Sequence, residues 1–163
     1  KGNTCTIQAD GESVHRGIEI NAGWAAGPWT LQGGAQWLHA RRSGSVDPAL
    51  NGKRPTNVPA STLKLQARYA VAGLPGLSLS TGLVAESDRM VLPDNSARIP
   101  GYARVDAGLR YLQNTSSTRL IWRAGIDNLF DRRAWRESPY QFDHAFLFPL
   151  AARTFRLSVE ASL

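Results

Sequence analysis

Residues 14–37 read VHRGIEINAGWAAGPWTLQGGAQW, and the alternation in this stretch decides the fold. Val14, Ile18, Ile20, Ala22 and Trp24 share one parity, whereas His15, Gly17, Glu19, Asn21 and Gly23 share the other. A period of two sets these groups on opposite faces of an extended strand. Beyond Gly27-Pro28 the alternation resumes, with Trp29, Leu31, Gly33, Ala35 and Trp37 on the apolar parity and Thr30, Gln32, Gly34 and Gln36 on the polar one. Two such runs around a Gly-Pro breaker predict a hairpin closed by a tight turn. The uncharged run 21–40 is long enough to suggest a membrane helix. Pro28, several glycines and polar Asn, Thr and Gln side chains make two strands the better reading.

The same rhythm continues to the end of the chain. Leu63, Leu65, Ala67, Tyr69 and Val71 oppose Thr62, Lys64, Gln66 and Arg68; after Gly73-Leu74-Pro75-Gly76 come Leu77, Leu79, Thr81, Leu83 and Ala85. Ala103, Val105, Ala107, Leu109 and Tyr111 oppose Tyr102, Arg104, Asp106, Gly108 and Arg110. Leu120, Trp122, Ala124 and Ile126 then oppose Arg119, Arg123, Gly125 and Asp127, with Ile121 as an apolar intruder on the polar side. Phe155, Leu157, Val159, Ala161 and Leu163 close the series against Thr154, Arg156, Ser158, Glu160 and Ser162. Short connectors alternate with long ones at 41–60, 86–101 and 131–152. Seven strands of this kind predict an all-β, antiparallel transmembrane β-barrel wall, with lipid-facing and lumen-facing side chains alternating along each strand.

Aromatic placement favours a membrane wall over a water-soluble sandwich. Trp24, Trp29, Tyr69 and Tyr111 lie on the apolar parity and all adjoin the short turns. Rings gathered at one depth form the interfacial girdle of a barrel; as sandwich core they would have no reason to share a level. A chain of 163 residues with negative mean hydropathy suits strands that are only half apolar, and it is too polar for a helical membrane protein. The arginines behind the net charge of +6 are mostly on lumen-facing parity or in loops, without a continuous stripe, so nucleic acid is not an expected partner. Cys5 stands alone and forms no internal disulfide. With neither an initiator Met nor a signal peptide, the sequence reads as a piece of a longer exported protein.

Five segments now carry a resemblance. Arg16-Gly17-Ile18-Glu19-Ile20, Asn57-Val58-Pro59, the stretch from Ile99-Pro100-Gly101-Tyr102 through Ala103-Arg104-Val105-Asp106, Asp127-Asn128-Leu129-Phe130-Asp131, and the terminal run from Arg153 to Leu163 are similar, in this order, to the C-terminal strands of TonB-dependent outer-membrane receptors. The resemblance implies a plugged barrel of about 22 strands, of which residues 1–163 would supply about the last seven. The plug domain, the TonB box and the earlier strands have no counterpart in the chain. It further implies an outer-membrane receptor for TonB-energised uptake of a ferric siderophore or similar metal chelate, without an enzymatic step or resident cofactor. The implied partners are the chelate, the TonB complex through the absent N-terminal regions, outer-membrane lipid and lipopolysaccharide, and the barrel-assembly machinery. Phe155, Leu157, Val159 and Leu163 would form the C-terminal assembly signal; the family usually ends on Phe, and Leu163 predicts weakened insertion. In the family's orientation the long connectors face outside and the short turns face the periplasm.

Among the long connectors, 131–148 is the richest. Arg132, Arg133, Trp135, Arg136 and Tyr140 offer guanidinium donors and aromatic faces to an anionic, aromatic chelate, which makes them the candidate ligand-binding residues. The competing reading is a loop packed on its own aromatics. Ser61 and Lys64 match an S-x-x-K acyl-transfer motif, but Ser61 opens an alternating strand and no Lys-Thr-Gly follows. His15, His39 and His144 show no ligand spacing, so no metal site is indicated. Lumen-facing Glu19, Asp106, Asp127 and Glu160 alternate with Arg68, Arg104, Arg110, Arg123 and Arg156, which predicts cross-strand ion pairs. Asn114-Thr115-Ser116 matches a glycosylation sequon but falls in a short turn. The rival architecture is a self-contained barrel of about eight strands with a structural or adhesive role, using Thr4 to Ala9 as an added strand.

Overall fold

The computed structural model describes residues 10–162. In chain order the elements are β1 (Glu12–Ala26), β2 (Trp29–Ser43), a single 3-10 turn (Pro48–Leu50), β3 (Ser61–Ala70), β4 (Leu77–Glu86), β5 (Arg89–Met90), β6 (Arg98–Ile99), β7 (Tyr102–Asn114), β8 (Arg119–Asp127), β9 (Trp135–Glu137), β10 (Tyr140–Gln141), β11 (His144–Ala145), β12 (Phe148–Pro149) and β13 (Thr154–Ser162). Seven of them form one sheet in the order β1-β2-β3-β4-β7-β8-β13, every neighbouring pair antiparallel. The expected strands are all present. Val71 falls just beyond β3, and Thr4 to Ala9, Cys5 and Leu163 lie outside the described residues.

Register carries the alternation across the sheet without a slip. Ile20 pairs with Ala35, Ala35 with Leu63, Leu63 with Ala85 and Ala85 with Ala103, so apolar positions stay on one face from strand to strand. The opposite face aligns Gln32 with Gln66, Gln66 with Gly82 and Gly82 with Asp106. A one-residue shift would exchange the faces, so this pattern itself specifies register.

The turns follow from their residues. Ala26 pairs with Trp29, which leaves Gly27 and Pro28 as a two-residue connection. Gly27 adopts φ +52, and Pro28 is held near φ −65°, so only a II′ hairpin, with glycine at its first central position, fits. At the 115–118 turn, Thr115 N–H donates to the Thr118 carbonyl at 2.9 Å, and Thr118 N–H returns to the Thr115 hydroxyl at 3.0 Å.

Burial separates this sheet from a water-soluble domain. Among the described residues the buried apolar ones are only Ala40, Val91, Ile99 and Leu150, while Ile18, Ile20, Trp24, Trp37, Leu157 and Phe155 are more than half exposed. Accessible surface reaches 11402 Å², whereas a compact monomer of this mass exposes about 8,000 Å². An oily face this open needs a non-aqueous solvent. No described helix is long and apolar enough to cross a membrane; strands with one oily face can cross where they close into a barrel.

The long connectors form a second layer of short hairpins, β5-β6, β9-β12 and β10-β11. Val91, Ile99 and Leu150 are its small core.

Candidate functional site

The long-connector end of the sheet carries the candidate ligand residues. Their loop is rooted by Asn128, which is 1% exposed and holds φ +53. Its side-chain amide donates to the carbonyls of Arg132 at 3.1 Å and Ala151 at 2.8 Å, and its oxygen accepts the Arg132 N–H at 2.8 Å. One side chain thereby fastens the outgoing and returning arms of the loop together. Asp131, also at positive φ, accepts the Arg153 N–H at 3.0 Å and repeats the tie one step further out.

A second asparagine joins this loop to its neighbours. Asn57, at φ +61, accepts the N–H of fully buried Ser138 at 2.8 Å and the Arg89 guanidinium at 3.1 Å on the same side-chain oxygen. Its backbone N–H donates to the Met90 carbonyl at 2.9 Å, and the Ser138 hydroxyl donates to that same carbonyl at 3.4 Å. Arg89 also pairs with Glu86, Arg54 pairs with Asp88 at 3.0 Å, and Asn95 exchanges two hydrogen bonds with the Arg54 backbone. The connectors 41–60, 86–101 and 131–152 are one hydrogen-bonded body.

Of the five candidate residues, Arg132, Arg133 and Trp135 line a single cavity of about 600 Å³ with Pro100, Pro149 and Leu150. The side chains of Arg132 and Arg133 are exposed and have no carboxylate partner among the described residues. Arg136 and Tyr140 stand apart from this group. Arg136 is paired with Glu137 at 2.9 Å, and the Tyr140 hydroxyl donates to Asp143 at 3.3 Å. Desolvation, then the Asp143 charge, pushes the Tyr140 phenol above its usual range, so it remains a donor. Sequence reasoning missed Phe142. It sits at φ +51 in the two-residue turn between β10 and β11, 90% exposed. A bulky side chain in that conformation is strained, and residue type alone gives no hint of it.

The lumen face is a ladder of ion pairs: Arg104 with Asp106 at 2.9 Å, Arg123 with Glu160 at 2.9 Å and Arg156 with Asp127 at 2.7 Å. Arg68 and Arg110 have no acidic partner in this set, and Arg110 lies directly across from Arg123. Ser61 and Lys64 lie three positions apart on β3 and project to opposite faces, so the S-x-x-K match brings no serine beside a lysine. His15 lies on the lumen parity of β1, His39 on the apolar parity of β2 and His144 in β11.

At the short-turn end, Trp29 pairs with Tyr69 with ring centroids 4.6 Å apart. Tyr111 pairs with Trp122 on β8, whose indole N–H donates to Gln113 at 3.2 Å. Trp122 therefore joins Trp24, Trp29, Tyr69 and Tyr111, an addition visible only once the β7–β8 register is known. On β13, Phe155, Leu157 and Val159 project from the apolar face with exposures of 70%, 77% and 49%.

Comparison with known proteins gives concordant results. A family model described as TonB dependent receptor-like, β-barrel, matches residues 1–129. The ferrichrome receptor FcuA of Yersinia enterocolitica is 27% identical over 150 residues, covering 91% of this chain and 20% of that protein. The sheet superposes with TM-score 0.83 and 29% identity on the ferric preacinetobactin receptor BauA of Acinetobacter baumannii, over 93% of this chain and 22% of that one. The ferric yersiniabactin uptake receptor FyuA of Yersinia pestis, at 20% identity, shares the fold with TM-score 0.75, over 92% of this chain and 23% of its own. The chain spans about a fifth of the length of each of these proteins.

Proposed function

Because this chain belongs to the TonB-dependent receptor β-barrel family of the bacterial outer membrane, we propose that it forms the C-terminal wall of a receptor importing a ferric siderophore or similar chelate. In this reading residues 1–163 contribute about the last seven strands, the remaining strands and a plug complete the pore, and TonB supplies the energy. The connectors 41–60, 86–101 and 131–152 face outside, and Arg132, Arg133 and Trp135 contact the chelate. Guanidinium groups without carboxylate partners suit a ligand that carries negative charge, and the adjacent indole offers it an aromatic face. Trp24, Trp29, Tyr69, Tyr111 and Trp122 form the periplasmic interfacial girdle. Phe155, Leu157 and Val159, with Leu163, are presented to the barrel-assembly machinery.

The observation that carries this reading is the superposition of 93% of this chain, at TM-score 0.83, on about a fifth of a ferric preacinetobactin receptor. Uptake of radiolabelled iron as a panel of ferric siderophores tests it, in cells with and without the gene. Loss of uptake of one chelate on deletion, and on collapse of the proton-motive force, is the expected result. Unchanged uptake across the panel in iron-starved cells that express the gene would refute the proposal.

A further inference from the structure

One row of the lumen face runs from Arg68 on β3 through Ser80 on β4, Gly108 on β7 and Gly125 on β8 to Arg156 on β13, each residue in register with the next. Two arginines therefore border three positions that carry little or no side chain. The next row toward the short turns holds Ser78, Arg110 and Arg123, again in direct register. Arg68, Arg110, Arg123 and Arg156 line one bay of about 1020 Å³. Its floor is bare of necessity at Gly108, where a Cβ would come within 2.7 Å of the Ser80 hydroxyl.

The charges around this bay do not balance. Asp127 is engaged by Arg156, Glu160 by Arg123, and Asp106 by Arg104 and the Asn128 N–H. Arg68 and Arg110 are left without a carboxylate partner among the described residues. Both stand on interior strands whose two neighbours are already in place, so no further strand of a wall can lie beside them. Arg68 is exposed and donates to the Ser78 hydroxyl at 3.4 Å, while Arg110 sits across from Arg123. Like charges directly opposite destabilise a sheet, and an anion held between them reverses that effect.

We infer that this bay is a second anion site, a waypoint at which Arg68 and Arg110 hold an anionic ferric chelate after it leaves Arg132 and Arg133. The inference rests on the import function proposed above. Arg110 lies eight residues along β7 from Tyr102, at the connector end of the strand. At about 3.3 Å per residue and an inclination of about 45°, that is a depth of about 19 Å. A wall lined by one sign of charge continues the field met at the mouth, so an anion moving inward is not opposed. The volume favours a chelate over an acidic side chain of the protein. Small-molecule sites occupy about 300–1,000 Å³, whereas one carboxylate on two guanidinium groups requires no bay.

Two measurements on the full receptor test this. Crystals soaked in sodium bromide should show an anomalous peak within hydrogen-bond reach of Arg68 and Arg110, absent from R68Q/R110Q. No peak, or an acidic side chain of the receptor seated on these arginines, would overturn the inference. For the radiolabelled chelate that the uptake panel selects, R68Q/R110Q should bind at the cell surface within about two-fold of the unaltered receptor but import about five-fold more slowly or worse, and R68K/R110K should recover part of the rate. Heat-modifiable mobility confirms that each variant is assembled. A bromide peak with unchanged import means an adventitious ion only and also overturns the inference. The bromide map of the unaltered protein needs no variant and no transported chelate. A panel in which the unaltered receptor imports nothing refutes the proposed function, whereas normal import by R68Q/R110Q refutes only the waypoint.

Discussion

The Asp106 carboxylate accepts the backbone N–H of Asn128 at 2.8 Å, joining a side chain of β7 to the backbone just beyond the end of β8. The same carboxylate pairs with Arg104 at 2.9 Å, and the carbonyl of Val105 accepts the Leu129 N–H at 2.7 Å. The strand motif around Tyr102 to Asp106 and the loop motif Asp127 to Asp131 are thus two halves of one joint. Asn128→Ala should free the 131–152 loop. Three hydrogen bonds are lost at a residue almost without solvent access, and alanine also strains the positive φ. The expected cost is about 3 kcal/mol or more, since each buried group left unpaired costs about 1–3 kcal/mol. Limited proteolysis of the assembled receptor should show new cleavage within 131–152 while the strands remain protected.

Asn57 makes a different prediction because its partners lie in separate connectors. Asn57→Ala removes the side-chain oxygen shared by Ser138 and Arg89, leaving Arg89 its bond to the residue 57 carbonyl at 3.0 Å. Hydrogen exchange should therefore rise together in 86–101 and 131–152, although neither contains the substitution. A double-mutant cycle with Arg89→Ala should give a coupling of about 1–2 kcal/mol, as contacting residues of one network do. Independent, additive effects would mean that the three connectors move separately.

The wall was legible in the sequence because period two is a local signal and a membrane imposes it on every strand. The hairpins β5-β6, β9-β12 and β10-β11 were not legible. Two- and three-residue strands carry no period, and their positions depend on distant partners such as the contact between Asn57 and Ser138, 81 positions apart. The candidate site was read in part for the same reason. Composition pointed to arginines and aromatics in 131–148, but only the folded loop separates Arg132, Arg133 and Trp135 in one cavity from Arg136, held by Glu137.

That separation predicts unequal effects on ligand affinity. Arg133→Ala should weaken chelate binding by about ten-fold or more, the loss of one charge-assisted contact. Arg136→Ala should change it by less than about three-fold, because its guanidinium is already engaged by Glu137. Equilibrium binding to the purified receptor separates the two. Equal losses would place the ligand elsewhere on the loop.

The turn inside 86–101 should respond to acid. Asp94 accepts the N–H and hydroxyl of Ser96 at 3.0 and 2.7 Å, and these bonds hold its carboxyl below the ordinary value of 3.8. A depressed folded value means the unfolded segment takes up the proton first. The contribution is complete above pH 3.8 and is lost as pH falls through the folded value. Amide exchange at Val91, which donates to the Ala97 carbonyl, should accelerate beyond its intrinsic rate below pH 4. Asp94→Asn should remove that dependence.

Trp29 and Tyr69 form a tilted ring pair, 4.6 Å between centroids, on the apolar face beside the short turn, and Tyr111 faces Trp122 at the same end. Trp29→Ala should destabilise the assembled barrel by about 1–3 kcal/mol, combining lost area with an aromatic pair worth about 0.5–1.5 kcal/mol. Variants retaining a single tryptophan at 24, 29 or 122 should be quenched most strongly by lipids brominated near the headgroup. Strongest quenching by bromines at the bilayer centre would remove these residues from the interface.

Among the described residues, β1 and β13 each have one neighbour, so the sheet ends in two rows of unpaired backbone groups. In hydrocarbon each unsatisfied group costs several kcal/mol, and β1 alone is 15 residues long. Drawing the two edges together would need a far narrower cylinder than the relatives' wall, whose curvature the sheet matches over 93% of the chain. Residues 1–163 expressed without further strands should therefore aggregate or remain unfolded in detergent, with no change in mobility on heating. A protease-resistant, heat-modifiable monomer would show that the chain closes on itself and that the long barrel is not its working form. Supplying the remaining strands of the proposed wall as a separate polypeptide should restore folding, because each edge then has a partner.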